Sequence, residues 1–278
     1  PDRILLGNGS DEVLDLIFRA FCEPSIDNVI TLPPTYGMYN VLANLNDIEN
    51  REVLLNSDFQ PNLDEILSIA DSRSKLLFIC SPNNPTGNLI ASEKILKLLE
   101  SFNGLVVIDE AYIDFASKES WIAKLNEFPN LIVTQTLSKA YGLAGIRLGI
   151  CYASATIISV LNKIKPPYNI NILTQKTAIE QLQDINRIKN EVYSIITEKE
   201  VLRKALLQIK FIEKIFSSDA NFMLLRVDDA QKRYLQLIEN GVVVRNRSSQ
   251  PLCSNTLRIS IGTTSENEKL ITILKTLK

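Results

Sequence analysis

Within residues 11–22, apolar side chains at 13, 14, 16, 17 and 18 mark one face of an amphipathic helix, and Ser10 stands where such a helix begins. Apolar runs of strand length then recur at residues 28–32, 51–55, 75–80, 105–109, 131–136 and 148–152. A second amphipathic helix, residues 91–101, separates two of them. Strands alternating with helices predict a doubly wound α/β fold. After Pro166-Pro167 the pattern changes to a long charged helical stretch, roughly residues 171–209, with little strand character. It is long enough to join two domains. From Asn221 onward, an apolar run at 222–225, a helix near 230–239, strand-like runs at 242–244 and 257–261 and a closing helix at 266–277 predict a smaller α+β unit. The expected division is therefore 1–165 for a large domain and 166–278 for a small one that carries the long helix. No internal repeat, low-complexity tract or coiled-coil heptad interrupts this plan.

Composition narrows the chemistry. The 278 residues hold 30 Lys plus Arg against 32 Asp plus Glu, a formal net charge of -2, so no basic excess points to nucleic acid. Histidine is absent. That removes Ser-His-Asp and Cys-His catalysis and leaves lysine, tyrosine and carboxylates to move protons. Cys22, Cys80, Cys151 and Cys253 show no short paired spacing, so neither a metal site nor a disulfide framework is expected, and a reducing, cytoplasmic setting is. No apolar run approaches the ~20 residues needed to cross a membrane. The sequence opens on Pro1 without a methionine or signal-like segment and enters Gly7-Asn8-Gly9-Ser10 almost at once, as a trimmed chain would.

Three motifs follow apolar strands. Thr136-Leu137-Ser138-Lys139-Ala140-Tyr141-Gly142-Leu143-Ala144-Gly145-Ile146-Arg147 places a lysine, two hydroxyls and an arginine on one glycine-bearing segment. A lysine amine forms a Schiff base with an aldehyde once desolvation or a neighbouring cation lowers its pKa. Arg147, Ser138 and Thr136 suit phosphate oxygens. Taken alone, the run is equally a surface lysine beside a solvated arginine. Cys80-Ser81-Pro82-Asn83-Asn84-Pro85-Thr86-Gly87-Asn88 is a shaped loop at a strand's end, where ligands of open α/β sheets bind. By itself it is only a turn. Leu105-Val106-Val107-Ile108-Asp109-Glu110-Ala111-Tyr112 ends a buried strand in a carboxylate that needs a cation or strong donors, or else simply caps a helix.

Together these motifs resemble those of the fold-type I aminotransferases, and in detail those of the histidinol-phosphate aminotransferases. The resemblance covers nearly the whole chain, from Gly7-Asn8-Gly9-Ser10-Asp11-Glu12 through Pro33-Pro34-Thr35-Tyr36-Gly37-Met38-Tyr39 to Leu257-Arg258-Ile259-Ser260-Ile261-Gly262-Thr263. It implies a large domain with a mostly parallel sheet flanked by helices, a smaller carboxyl-terminal domain, and pyridoxal 5'-phosphate as cofactor. Lys139 would hold the cofactor aldehyde and later move the proton, Asp109 would pair with the pyridine nitrogen, and Tyr112 and Asn84 would donate to the phenolic oxygen. Tyr36 would stack over the ring and touch substrate. The backbone of Ser10 and Asp11 at a helix start, with Thr136, Ser138 and Arg147, would form the phosphate cup.

For the substrate, the resemblance implies Arg258 as carboxylate receptor and Arg245 as a residue near the substrate phosphate, with Arg247 a competitor for that position. Asn221 matches a family position without an assigned role. The implied reaction converts imidazole-acetol phosphate and glutamate to histidinol phosphate and 2-oxoglutarate, in histidine biosynthesis, in a homodimer that needs no nucleic acid or membrane. Family members carry an amino-terminal segment ahead of these motifs that completes the site. Two alternatives share the framework: a phosphothreonine decarboxylase, and a non-catalytic effector-sensing domain.

Overall fold

The computed structural model describes residues 2–277; Pro1 and Lys278, the outermost residues of the two expected domains, lie outside them. Two sheets organise the chain. The first contains β1 (Ile4–Gly7), β2 (Asn28–Thr31), β3 (Glu49–Glu52), β4 (Ser74–Cys80), β5 (Leu105–Asp109), β6 (Leu131–Thr136) and β7 (Gly149–Ala153), in the order β1-β7-β6-β5-β4-β2-β3. Every pairing from β3 through β2, β4 and β5 to β6 is parallel, while β7 runs antiparallel to both β6 and β1. The sequence of β5, Leu-Val-Val-Ile-Asp, shows the cause: a strand covered on both faces must be apolar without alternation, and Val106 to Asp109 are all buried.

Helices α1 (Ser10–Phe21), α2 (Met38–Leu45), α3 (Leu63–Ile69), α4 (Ser92–Ser101) and α5 (Ala155–Ile164) divide between the faces of that sheet. Val13, Phe18, Tyr39 and Ile158 from α1, α2 and α5 share one core with Phe78, whereas Ile66, Ile95 and Leu98 from α3 and α4 share the other with Leu77 and Ile108. Beyond α6 (Ile172–Leu182) and α7 (Ile185–Leu206), the chain builds an antiparallel sheet from β8 (Ile212–Ile215), β9 (Phe222–Val227), β10 (Arg245–Asn246) and β11 (Thr256–Ser260), in the order β10-β11-β9-β8. With α8 (Ala230–Glu239) and α9 (Thr264–Thr276) it encloses a third core, where Leu202 and Leu206 of α7 meet Met223, Leu237, Leu257 and Leu270. No helix among the described residues is long and apolar enough to cross a membrane.

Several expectations need correction. The single long helix over 171–209 is two helices, because Asp184 turns its carboxylate onto the Arg187 N–H at 3.0 Å and starts a new one. Residues 242–244 are not a strand: after Gly241, at φ +73°, the Val242 N–H returns to Leu237 O and closes the end of α8. Arg245 therefore begins β10 rather than ending a strand. The run at 51–55 is displaced to Glu49–Glu52, an edge strand whose polar residues need no apolar partner. β1 and the short helices α2 and α3 carry too few periodic positions to stand out in the sequence.

The part of the fold that positions chemistry is the carboxyl edge of β4, β5 and β6. Cys80 lies opposite Asp109, and Asp109 opposite Thr134, so the three motif-bearing loops leave the sheet side by side.

Candidate active site

A cavity of about 340 Å³ opens at that edge, within the range typical of small-molecule sites. At one end, α1 begins at Gly9 with no side chain capping its free N–H groups. Ser10 and Asp11 line the cavity there, and Arg147 faces them from a left-handed backbone at φ +54°, its Nη2 4.0 Å from Asp11 Oδ2. Glycine is required at two points of this corner. A Cβ on Gly9, at φ +83°, would overlap the Arg147 guanidinium, and one on Gly149 would collide with the Gly9 and Ser10 backbone. Thr136 Oγ1 accepts from Ser138 N at 3.1 Å and reaches Ser138 Oγ at 3.0 Å, which turns both hydroxyls toward the same corner. Uncapped N–H groups, two hydroxyls and a guanidinium make an anion cup.

Lys139 stands in the middle, its Nζ 5.4 Å from the centroid of the Tyr112 ring. Its side chain reaches solvent through the open cavity, yet the surrounding protein removes much of its hydration. That desolvation and the charge of Arg258 lower its pKa, against the opposing pull of Asp109. Asp109 is 2% exposed. Burial raises its pKa, while hydrogen bonds from the Tyr39 hydroxyl at 2.8 Å and the Ala111 N–H at 3.1 Å favour the ionised form. Tyr39, on α2, is a neighbour of the site that the sequence reading passed over. Its signal was present in Pro-Pro-Thr-Tyr-Gly-Met-Tyr, three positions after Tyr36, but only the fold reveals which tyrosine turns inward.

Tyr36 lines the cavity with its hydroxyl donating to Asp11 Oδ1 at 3.0 Å and its ring edge-on to Tyr39. Tyr112 packs edge-on against Phe222, and burial pushes its pKa up to about 12. It is therefore a proton donor at neutral pH. Asn84 accepts from Arg258 Nη1 at 2.6 Å, which leaves its amide N–H groups available.

The far wall comes from the second sheet. Arg258 of β11 lies directly opposite Arg245 of β10, and Arg247 follows two residues later; all three line the cavity. Arg258 also lies over the Phe222 ring at 4.8 Å. Desolvation lowers the pKa of both Arg258 and Arg247, and their neighbouring arginines add to it. Every residue assigned to the site from sequence thus lines this one cavity, joined by Arg247. Asn221 does not: its carbonyl accepts from Ile261 N at 2.9 Å, a sheet contact. A wider cavity of about 440 Å³ between the start of α4 and residues 118–124 contains none of these groups.

The family model described as aminotransferase class I and II matches residues 1–274. The chain belongs to the class I and II aminotransferases. Among curated relatives of this aminotransferase, the histidinol-phosphate aminotransferase of Flavobacterium johnsoniae is 64% identical over 275 residues, 99% of this chain and 79% of the relative. The crystal structure of the histidinol-phosphate aminotransferase from Clostridium acetobutylicum superposes with a TM-score of 0.90 at 27% identity, covering 98% of this chain and 82% of that one. The enzyme of that name from Sinorhizobium meliloti, solved in complex with pyridoxal-5'-phosphate, shares the fold at TM-score 0.91 and 23% identity, covering 100% of this chain and 78% of the other.

Proposed function

We propose that this aminotransferase uses pyridoxal 5'-phosphate to exchange an amino group between histidinol phosphate and 2-oxoglutarate, a step of histidine biosynthesis. One juxtaposition carries the reading: a lysine with lowered pKa faces a buried carboxylate, between an anion cup at one end of the cavity and three arginines at the other. The names of the relatives, and the cofactor in the Sinorhizobium meliloti structure, supply the substrate and cofactor.

The residues present fit that cofactor. No side chain caps the start of α1, Arg147, Thr136 and Ser138 line the same corner, and Gly9 and Gly149 keep the approach clear. Lys139 would hold the aldehyde carbon, Asp109 the ring nitrogen, Tyr112 and Asn84 the phenolic oxygen, with Tyr36 over the ring. When bound, the cofactor supplies an electron sink for the charge left on the substrate's α-carbon.

The chain's own groups do the rest. Lys139, its pKa lowered by desolvation, takes the α-proton on its Nζ and returns it. Asp109, ionised, keeps a cationic ring nitrogen protonated, since an opposite charge at hydrogen-bond range favours that form. Arg258 receives a substrate carboxylate through its planar fork, steadied by Asn84, and Arg245 adds charge beside it. We also read residues 1–165 as the cofactor domain and 166–278 as the small domain, the active unit as a homodimer, and the setting as the cytoplasm, which suits four buried free thiols.

The test is product analysis on purified protein loaded with cofactor. Glutamate alone should change the cofactor's absorbance and release 2-oxoglutarate in proportion to enzyme, and histidinol phosphate with 2-oxoglutarate should turn over. Release of carbon dioxide from O-phosphothreonine without 2-oxoglutarate formation would instead identify a decarboxylase and overturn the reading.

A further inference from the structure

Arg247 is the one member of the arginine wall that the reaction as described does not use. Cross-strand partners project from the same face of a sheet, so Arg245 and Arg258 face the cavity together, and Arg247, one residue past β10, also lines it. Arg258 has a partner in Asn84 and an aromatic face beneath it. Arg247 has neither: its main-chain N–H is fixed on Thr256 O at 2.9 Å, while its buried Nε meets no acceptor, and among the described residues it forms no ion pair. A desolvated, unpaired and mutually repelled guanidinium opposes folding, and such a group calls for a reason.

Ligand chemistry supplies one. A carboxylate has two coplanar oxygens and a single charge, which one guanidinium fork saturates. A phosphate monoester carries nearly two charges and three terminal oxygens, and so can engage three guanidiniums. We infer that Arg247 is the specificity-determining residue for phosphate: it contributes to binding of the phosphate-bearing amino substrate and not to binding of glutamate or 2-oxoglutarate, for which Arg258 and Arg245 suffice. This deepens the function proposed above and rests on it.

The experiment measures the two half-reactions separately on cofactor-loaded wild type, Arg247→Gln and Arg247→Lys, by single-turnover absorbance with histidinol phosphate and with glutamate. Inorganic phosphate is titrated as a competing ligand. Loss of one charge-assisted fork should weaken histidinol phosphate and inorganic phosphate by about 10–100-fold in Arg247→Gln. The lysine variant should recover part of this, and glutamate should shift by less than about threefold in both. Equal loss in both half-reactions, or loss in neither, overturns the inference. Failure of the wild type itself on histidinol phosphate would sink the functional reading instead; inorganic phosphate then judges Arg247 alone, and unchanged phosphate affinity in Arg247→Gln overturns the inference.

Discussion

The hydroxyl of Tyr39 donates to Oδ2 of Asp109 at 2.8 Å, linking a helix on one face of the sheet to a carboxylate 70 residues away at the end of a central strand. The tyrosine is aimed by packing. Its ring stacks on Phe78 at 4.9 Å, Phe78 stacks on Phe18 at 5.0 Å, and Tyr36 closes the other side edge-on. At 1% exposure it has no water to bond instead.

Replacing Tyr39 with Phe should therefore cost the cofactor-free protein about 1–3 kcal/mol at neutral pH, because a buried carboxylate loses a donor. The pH dependence has a definite sign. Asp109 has a raised folded pKa, so its own contribution to stability is greatest below the ordinary carboxylate range and is lost as pH rises through the folded value. The Tyr39 hydroxyl favours the ionised form and limits that loss. The melting-temperature gap between wild type and Tyr39→Phe should thus be widest above the folded pKa of Asp109 and narrow as pH falls toward the ordinary carboxylate range. A gap that stays constant would mean that the hydroxyl does not act on the carboxylate.

Lys139 makes the opposite case, a base whose folded pKa is lowered. More of it is deprotonated near neutral pH than of a free lysine, so cofactor addition to the apoenzyme should reach half its limiting rate below the ordinary lysine pKa of 10.5. Arg258→Leu removes the nearby charge that helps lower it, and should move that midpoint upward. Lys139→Ala should abolish turnover. A rate profile centred at 10.5 in the wild type would show that the cavity does not tune the amine.

Gly149 joins β7 to the start of α1 at a distance no side chain allows. Gly149→Ala should push the helix start off the strand and spread the anion cup. Cofactor affinity is expected to fall at least tenfold, with a smaller loss in the melting temperature of the apoenzyme. Equilibrium dialysis of the cofactor checks the first, and calorimetry the second. If affinity is unchanged while the protein unfolds more readily, the contact is structural only.

These residues also show where sequence reading reaches and where it stops. β4, β5 and β6 were legible because buried parallel strands are unbroken apolar runs, and their terminal Cys80, Asp109 and Thr136 mark the edge where ligands gather. Local pattern could not choose between Tyr36 and Tyr39, since the choice depends on packing against Phe78 from a distant strand. Nor could it place Arg247 on the cavity wall, because that follows from a cross-strand register fixed by β10 opposite β11. Residues 242–244 misled for a related reason: three valines look like a strand whether they pair or close a helix.

The Asn84 to Arg258 hydrogen bond, at 2.6 Å, makes one last outcome readable. As a neutral acceptor, Asn84 orients the guanidinium without cancelling its charge, so the fork stays available to an incoming carboxylate. Asn84→Asp keeps the shape and replaces that acceptor with an anion, in a pocket where desolvation strengthens the pairing. The new carboxylate would compete with the substrate for Arg258. Asn84→Asp should therefore raise KM for glutamate and 2-oxoglutarate by more than tenfold, and dicarboxylate inhibitors should weaken in parallel. Asn84→Ala, which frees Arg258 without neutralising it, should affect KM less and kcat more, through the lost donor to the cofactor. If the two variants raise KM equally, Arg258 is not the carboxylate receptor.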